Sequence, residues 1–256
     1  MDHQSALHTA TILAAARRAG RRLHVLEPAP DSLEDGYQIQ DLVVTCYGEQ
    51  VGAWKIGATH PNAQAGLGVP GPVASRLFSR NLLQGSQRVK DTFLIRGLEA
   101  EYAFRLGADL PARATPYTRE EILDAVVSVH PAIEIVDTRF DSARSGPVAI
   151  ADNVNDGLLI YGEGRSDWRD LDMVEAAVNM EVNGEIVVRG RGAEVLGNPL
   201  ASLTWLVNEH AAAREGLRAG QIITTGSCTG LYKSPPGCRA RATFEGLGEL
   251  SVQFEA

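Results

Sequence analysis

The stretch GLEAEYAF, residues 97–104, decides the interpretation of this chain. Its apolar residues favour a β-strand, in which side chains alternate between two faces with a period of two. Glu99 and Glu101 therefore point to the same face of that strand. A second apolar run, HPAIEIVD at residues 130–137, carries Glu134 between two isoleucines. Together the two runs predict paired strands that bring three acidic side chains into an apolar setting.

Two interpretations of these acids remain open on spacing alone. Alternating glutamates are common on the solvent face of a surface strand. Three carboxylates brought together between apolar neighbours, in contrast, repel one another unless a cation neutralises them. Ligation by oxygen alone suits a hard ion such as Mg²⁺ or Mn²⁺. The apolar neighbours of Glu99, Glu101 and Glu134 make a solvated face harder to accept and favour a metal site.

Composition excludes several classes of protein. The chain has 256 residues and a formal net charge of −8, which argues against a protein that coats nucleic acid. Its three cysteines, Cys46, Cys228 and Cys238, form no CxxC pair and suggest no disulfide framework. Cys228 has no evident base beside it in the sequence, so a buried structural thiol is expected.

The expected location follows from the termini and the hydropathy. No apolar stretch approaches the roughly 20 residues of a membrane span. The N-terminus begins with an acid and continues to arginines, which is opposite to the polarity of a signal peptide. We therefore expect a cytoplasmic protein with neither a membrane nor a nucleic acid as partner.

Helical signals dominate the beginning of the chain. Ser5 is the predicted cap of an Ala/Leu-rich helix that ends near Gly20, and Ser32 opens a second capping pattern. From Val51 the chain becomes glycine-rich and strand-like. We therefore predict an N-terminal helical segment over residues 1–50, packed on a catalytic β-domain over residues 51–256, within one structural domain.

One further helix is predicted after Tyr117. Thr118 and Glu121 have the spacing of a capping box, and Ile122, Val126 and Val127 supply its apolar stripe.

The second half of the chain is mostly β. Asn183-Gly184 joins two alternating runs, a strong hairpin signal, and the C-terminal tail alternates again. A helix is predicted from about Pro199 to Arg214, capped by Asn198. Helices first and many strands later predict an α+β fold with a rolled or barrel-like sheet.

Three other segments each carry a functional and a structural interpretation. Lys55 lies in an apolar run, so its amine either reaches solvent or meets an anion. The glycine-rich residues 190–199 lead into a helix and either let backbone N–H groups approach a ligand or form structural turns. The small residues 224–230 form either a polar pocket floor or a simple loop.

Taken together and in order, seven segments resemble the 2-keto-4-pentenoate hydratase and 4-oxalocrotonate decarboxylase family, within the fumarylacetoacetate hydrolase superfamily. The resemblance runs from about residue 32 to the C-terminus. The segments are LEDGYQIQ, WKIGATHPNAQAGLGVP, GLEAEYAF, HPAIEIVDTRF, IADNVNDG, RGRGAEVLGNPL and AGQIITTGS.

The resemblance implies the mixed β-roll of that superfamily and a set of site residues. It matches Glu99, Glu101 and Glu134 to the family's Mg²⁺ or Mn²⁺ ligands. It matches Lys55 to the active-site lysine. The positions that it places near the substrate are Leu67, through a backbone N–H, Asn155, where many members have serine, and Thr225 with Gly226, in a loop lining the pocket.

The implied activity is that of a metal-dependent hydratase. Such an enzyme adds water to a 2-hydroxy-2,4-dienoate, or its 2-oxo tautomer, and gives a 4-hydroxy-2-oxo acid, as in aromatic meta-cleavage catabolism. The first alternative is a 2-oxo-enedioate decarboxylase of the 4-oxalocrotonate type, and a second is a non-catalytic structural partner of such an enzyme. The partners expected by resemblance are a small 2-oxo acid, further copies of the chain in a homo-oligomer, and a pathway decarboxylase or hydratase.

Two departures from the family pattern bear on the reaction. Many hydratases carry an acid after the Leu-Phe that follows the lysine segment, but here Phe78 is followed by Ser79 and Arg80. Asn155 replaces a serine near the substrate. Hydrolysis of a C–C bond in an acylpyruvate is a weaker alternative, because the sequence shows no His-Glu pair arranged to activate water.

Overall fold

Two β-sheets pack against each other through their apolar faces and form the core. The computed structural model describes residues 1–211 and 214–255. The strands are β1 (Val51–Gly57), β2 (Val73–Phe78), β3 (Leu82–Gln84), β4 (Gln87–Lys90), β5 (Gly97–Leu106), β6 (Val126–Val136), β7 (Leu158–Tyr161), β8 (Ala177–Val182), β9 (Glu185–Arg191), β10 (Ile222–Ser227), β11 (Tyr232–Lys233), β12 (Arg239–Phe244) and β13 (Gly248–Glu255). The helices are α1 (His3–Ala19), α2 (Leu33–Tyr47), α3 (Pro61–Leu67), α4 (Arg119–Ala125), α5 (Gly146–Ala151) and α6 (Pro199–Trp205).

The larger sheet has the order β2-β1-β10-β5-β6-β7-β3, with β11 paired to the free part of β5. It is mixed, because β1 runs parallel to β10 while β10, β5 and β6 are antiparallel. The smaller sheet has the order β4-β13-β12-β8-β9. The mixed sheets and the helices confirm the α+β class and the β-roll predicted from the sequence.

The core between the sheets uses alternate residues of β5. Leu98, Tyr102 and Phe104 are fully or almost fully buried and pack with residues of the smaller sheet. The Tyr102 ring, for example, lies 5.2 Å from the ring of Phe244 in an edge-to-face arrangement. Because side chains alternate along a strand, the glutamates of β5 are directed to the opposite side of the sheet.

The N-terminal helices form a separate apolar cluster beside the larger sheet. Residues of α1 and α2, including Leu13 and Val43, pack with Phe78 at the end of β2 and with Phe140. The Asp2 side chain accepts a hydrogen bond from the N–H of Ser5, so Asp2 caps α1 and the predicted cap at Ser5 is wrong. Both residues are capping types, and the helix begins one turn earlier than expected.

The helix predicted after Tyr117 begins as expected and ends early. Thr118 and Glu121 form the capping box, but α4 ends at Ala125. Val126 and Val127, expected on its apolar stripe, instead begin β6. β-Branched residues lose side-chain freedom in a helix and pack well on a sheet, and pairing with β5 outweighs the helical spacing.

The later elements follow the prediction with one change. The Asn183-Gly184 turn joins β8 to β9, and the tail forms the β12–β13 hairpin. Asn198 caps α6, but α-helical geometry stops at Trp205 and continues as a π-helix over Leu206–Ala211. Residues 212–213 of the predicted helix lie outside the described residues. Among the described residues, no helix has the length and apolarity needed to cross a bilayer.

Candidate active site

The register of β5 and β6 brings the three glutamates together. Glu99 pairs directly with Glu134, and Glu101 pairs with Ala132, so all three side chains lie on one face of the larger sheet. Each residue offers a carboxylate oxygen, and these oxygens lie within 4.8 Å of one another. Glu101 and Glu134 are 1% exposed, while Glu99 is partly exposed to a cavity.

This cluster strongly disfavours three negative charges. Burial, followed by repulsion from Glu134, raises the pKa of Glu99 to about 7. The same two causes raise the pKa of Glu101 well above its ordinary value. Burial also raises the pKa of Glu134, although the neighbouring Lys55 ammonium opposes the shift. The single positive charge of Lys55 therefore does not neutralise the three carboxylates. The site has an excess of negative charge that a divalent cation would neutralise.

Lys55 is positioned by the neighbouring strands. It lies on β1, which pairs with β10, and β10 in turn pairs with β5. Its side chain is 3% exposed, and Nζ donates to Glu134 and to the carbonyl oxygen of Val154 at 3.0 Å. Of the two interpretations from sequence, contact with an anion is therefore confirmed. Burial lowers the pKa of Lys55, but the surrounding carboxylates outweigh it, so the net pKa is raised.

The loop at the end of β10 supports the carboxylate of Glu101. The Gly226 N–H donates to Glu101 Oε2 at 2.9 Å. Gly226 has a φ of 105°, and a Cβ there would lie 2.3 Å from Thr59 Oγ1, so only glycine fits without strain. Thr225 donates through Oγ1 to the Tyr102 carbonyl at 3.1 Å, and Ser202 donates to the Thr225 carbonyl at 2.7 Å.

Val154, which accepts from Lys55, lies in an unusual backbone turn. Asn153, Val154 and Asn155 have φ values of 51°, 54° and 57°. Left-handed conformation costs energy in L-residues, and a β-branched residue such as Val154 tolerates it poorly. The surrounding structure must hold this turn in place.

Buried ion pairs from distant parts of the chain flank the turn. Arg17 of α1 donates to both oxygens of Asp156, at 3.0 and 2.5 Å. Arg139 donates through Nε to Asp152 at 2.7 Å and lies 3.0 Å from Asp156. The side chains of Asp152 and Asp156 are 0% exposed. The N-terminal helix is thus linked, through the Asp156 carboxylate, to the turn whose Val154 carbonyl contacts Lys55.

Replacing Arg17 by alanine is expected to affect the site at a distance. Removing one partner of a buried pair costs about 3 kcal/mol or more, and we expect the turn at Val154 to lose its fixed position. Turnover by the folded protein should fall about 10- to 100-fold, because small displacements of a reacting group have effects of that size. Thermal unfolding and steady-state kinetics below the unfolding temperature measure the two effects.

The matched control is Arg18→Ala, because Arg18 is on the same helix but donates to the carbonyls of Cys46 and Tyr47. Arg17→Lys should recover only part of the turnover, since a lysine does not reproduce two parallel hydrogen bonds. Full turnover in Arg17→Ala would show that α1 does not position the site.

A cavity of about 810 Å³ opens beside the glutamates and Lys55. Leu67 and Asn155, two of the predicted substrate contacts, line it, and the buried Asn155 Oδ1 atom has no hydrogen-bond partner among the described residues. Thr225 and Gly226 are not among the lining residues in the described part of the chain; Gly226 contacts Glu101, and Thr225 contacts the Tyr102 carbonyl. Ser227 and Cys228 from the same loop do line it, and burial raises the pKa of the Cys228 thiol, as expected for an inert thiol.

The cavity also contains a residue pair that sequence analysis missed. His60 Nε2 lies 3.8 Å from Glu194 Oε2, and both side chains line the cavity. The sequence indicated no His-Glu pair arranged to activate water, but the structure brings His60 and Glu194 together beside the cavity. The two residues lie in distant segments, and the signal that was available, the glycine-rich stretch containing Glu194, was ambiguous.

Structural reasons account for two glycines of that stretch. A Cβ on Gly190 would lie 1.8 Å from the Cys228 carbonyl oxygen, and one on Gly192 would lie 1.9 Å from that of Met173. The interpretation as structural turns is therefore supported at these positions.

The segment without the expected acid does not face this cavity. None of residues 75–80 lines it within the ranges that the structure describes. Arg80 instead donates to the Tyr47 hydroxyl at 3.1 Å and lies 3.7 Å from Glu49. The absence of an acid at this position therefore leaves the glutamates and Lys55 undisturbed.

The sequence of this chain is similar to that of known proteins. Residues 89–255 match the family model described as fumarylacetoacetate (FAA) hydrolase C-terminal. The chain belongs to the fumarylacetoacetate hydrolase family. Within that family, it is 31% identical over 264 residues to 2-keto-4-pentenoate hydratase 1 of Dechloromonas aromatica (strain RCB), covering 99% of this chain and 100% of the relative.

A second curated relative and a solved structure are also similar to most of the chain. The 4-oxalocrotonate decarboxylase of Pseudomonas putida is 31% identical over 209 residues, covering 81% of this chain and 78% of the relative. A structure of 4-oxalocrotonate decarboxylase from Pseudomonas putida G7, complexed with magnesium and adipate, superposes with a TM-score of 0.87 at 25% identity. It covers 100% of this chain and 99% of the other.

Thermal unfolding at several pH values tests whether the three glutamates carry an excess of negative charge when no metal is bound. Because the folded-state pKa of Glu99 is raised from 4.5 to about 7, the metal-free protein should lose stability as the pH rises through that window. A bound cation removes this loss, so stabilisation by Mg²⁺ should be small near pH 5 and larger at pH 8.

At a metal concentration 100 times Kd, stabilisation is about 2.7 kcal/mol, equivalent to roughly 5 to 10 °C in a chain of this length. A metal-independent unfolding temperature at pH 8 would contradict the metal site.

Proposed function

We propose that this protein is a divalent-metal-dependent hydratase that adds water to a 2-hydroxy-2,4-dienoate and releases a 4-hydroxy-2-oxo acid. The proposal rests on one observation above all: three glutamates cluster beside a buried lysine, and Glu99, Glu101 and Lys55 line a cavity, in a chain aligned end to end with a 2-keto-4-pentenoate hydratase. Mg²⁺ and Mn²⁺ suit the all-oxygen donor set. Glu99, Glu101 and Glu134 would hold the ion.

The bound cation would supply positive charge for a carboxylate and a neighbouring 2-oxo group at one end of the cavity. Lys55 adds a second positive charge beside the same carboxylates, and the raised pKa favours an anchoring role over that of a neutral base. The backbone N–H of Leu67 and the side chain of Asn155 would hold the substrate head group. Gly226 would fix the Glu101 carboxylate, while Thr225 would hold the neighbouring backbone at Tyr102.

His60 and Glu194 are suited to handle the water. His60 Nδ1 accepts from the Asn62 N–H at 3.2 Å, which assigns the ring proton to Nε2, the nitrogen facing Glu194. Glu194, with its charge supported by the imidazole, would then accept a proton from water as the water oxygen bonds to C4 of the 2-oxo tautomer. The C3–C4 double bond breaks, and the proton returns to C3, which gives the 4-hydroxy-2-oxo acid. This pair would provide the acid-base group that residues 79–80 do not.

Decarboxylation of a 2-oxo-enedioate is the second candidate. It is favoured by the likeness to 4-oxalocrotonate decarboxylases in sequence and in structure. The same Lys55 and glutamates would hold the 2-oxo acid head group. Decarboxylation needs no activated water, so His60→Gln should impair hydration and leave decarboxylation nearly unchanged.

The discriminating experiment offers three substrates to the purified protein with Mg²⁺. We expect 2-hydroxypenta-2,4-dienoate to yield 4-hydroxy-2-oxopentanoate, detected as loss of dienol absorbance and by mass spectrometry. Release of CO₂ from a 2-oxo-enedioate, without hydration of the dienoate, would establish the decarboxylase instead. An acylpyruvate is the third substrate, because the His60–Glu194 pair removes the sequence-based argument against C–C hydrolysis.

The proposal also covers the oligomeric state, the location and the domain organisation of the protein. We propose a cytoplasmic homo-oligomer, in complex with a pathway decarboxylase or hydratase, with residues 1–50 and 51–256 forming one domain. Size-exclusion chromatography with light scattering tests the oligomer. A purely structural partner is disfavoured, since such a role does not require buried like charges, and stabilisation by Mg²⁺ separates the two cases.

A further inference from the structure

A second cavity, of about 570 Å³, lies beside the end of α1 and shares none of its lining residues with the first. Six of the chain's 24 lysines and arginines line it, although the chain has a net charge of −8. These six are Arg17, Arg21, Arg22, Arg80, Lys90 and Arg139. An acidic protein therefore places a quarter of its bases around one cavity, which focuses positive potential there.

The acidic groups nearby neutralise only part of this charge. Asp137 is the one carboxylate among the lining residues in the described ranges. Its Oδ2 accepts from Arg22 at 2.6 Å, and its Oδ1 accepts from the backbone N–H groups of Leu94 and Ile95. Arg17 and Arg139 are held by buried aspartates behind the cavity wall.

Two of the bases have no partner among the described residues. The side chains of Arg21 and Lys90 make no hydrogen bond or ion pair within the described part of the chain. Arg80 donates to the neutral Tyr47 hydroxyl at 3.1 Å, and its one carboxylate neighbour among the described residues, Glu49, lies 3.7 Å away. Arg21 follows α1, Arg80 lies in the turn after β2, and Lys90 ends β4, so the three approach from different segments. That arrangement suits a compact anion with several acceptor oxygens.

The apolar residues of the cavity wall indicate that the ligand has an apolar or ring-containing portion in addition to its anionic group. Tyr47, Val89 and Phe93 line the same cavity. A volume of this size lies within the usual range of small-molecule sites, about 300–1,000 Å³. Guanidinium groups match phosphate oxygens in pairs, whereas an ammonium contributes a point charge.

We propose that this cavity binds a phosphate group, carried by a metabolite of up to nucleotide size. The inference is independent of the hydratase activity, because none of these bases lines the cavity of the glutamates.

Calorimetric titration of the full chain in low-salt buffer with Mg²⁺ tests the proposal. The probes are adenosine monophosphate and inorganic phosphate, which separate a phosphorylated metabolite from the free ion, and succinate as a dianion without phosphorus. We expect saturable binding of at least one phosphate probe at one site per chain. The double variant Arg21→Ala/Lys90→Ala should weaken that binding by about tenfold or more.

Two control variants test whether the loss of phosphate binding is specific to this cavity. Arg105→Ala/Arg119→Ala removes the same charge from exposed arginines without an ion pair in the described residues, and should bind as the parent does. Glu101→Gln removes a metal ligand and should also bind normally. The proposal is overturned if neither phosphate probe binds, if succinate alone binds, if both double variants weaken binding equally, or if Glu101→Gln abolishes it.

Discussion

Replacing Glu101 by glutamine is expected to abolish metal-dependent turnover while leaving the metal-free protein at least as stable as the parent. Glutamine keeps an oxygen to accept from the Gly226 N–H, but it removes one buried negative charge. The metal-free fold should therefore gain stability through reduced repulsion, since burial and Glu134 raise the Glu101 pKa. Turnover should fall about 10³-fold or more, because the ion contributes several kcal/mol and each 1.36 kcal/mol is a factor of ten.

Unfolding temperatures with chelator and with Mg²⁺, together with kcat, measure these opposite effects. Glu185→Gln is the control, because it removes the same charge from an exposed position in the β8–β9 hairpin. The control should keep both turnover and the stabilisation by Mg²⁺. A Glu101→Gln protein that still responds to Mg²⁺ like the parent would show that the three glutamates are not the ligand set.

Replacing Lys55 by methionine should also reduce turnover strongly, but through the loss of the lysine charge rather than the loss of a metal ligand. Methionine fills similar space without the charge, so Glu134 loses its ion pair and Val154 loses its donor. We expect turnover to fall about 10²- to 10⁴-fold, the range for a positioned polar catalytic group. The metal-free variant should be less stable than the parent, because a buried carboxylate is left without its partner.

The distinguishing result is that Lys55→Met keeps its stabilisation by Mg²⁺, which Glu101→Gln loses. Lys233→Met serves as the control, since Lys233 is an exposed lysine on β11. Unfolding temperature and kcat/KM are measured for both. Parental kcat/KM in Lys55→Met would remove the lysine from the reaction.

The parts of the site that lie on regular strands could be predicted from the sequence. The period of two put Glu99 and Glu101 on one face, and the apolar run around Glu134 indicated its strand partner. The family resemblance indicated Lys55 as a site residue. Its position in an apolar run did not, because a lysine there could also extend its amine to solvent. These predictions succeeded because strand pairing turns spacing along the chain into proximity.

Other parts depend on contacts between distant segments. His60 lies at the start of α3 and Glu194 follows β9, so neither spacing nor local propensity indicated their proximity. The left-handed turn at Val154 is held in part by Arg17 from the first helix, and no local pattern indicates such a turn. In the same way, sheet pairing overrode the helical spacing of Val126.

Crystals grown with Mn²⁺ provide the most direct test of the metal centre, through the anomalous signal of the ion. We predict one dominant peak, within coordination distance of carboxylate oxygens from Glu99, Glu101 and Glu134, on the side of the cavity. The same experiment on Glu101→Gln should show a much weaker peak or none. A map in which the ion lies elsewhere, or in which the three carboxylates bind none, would contradict a metal centre at these glutamates.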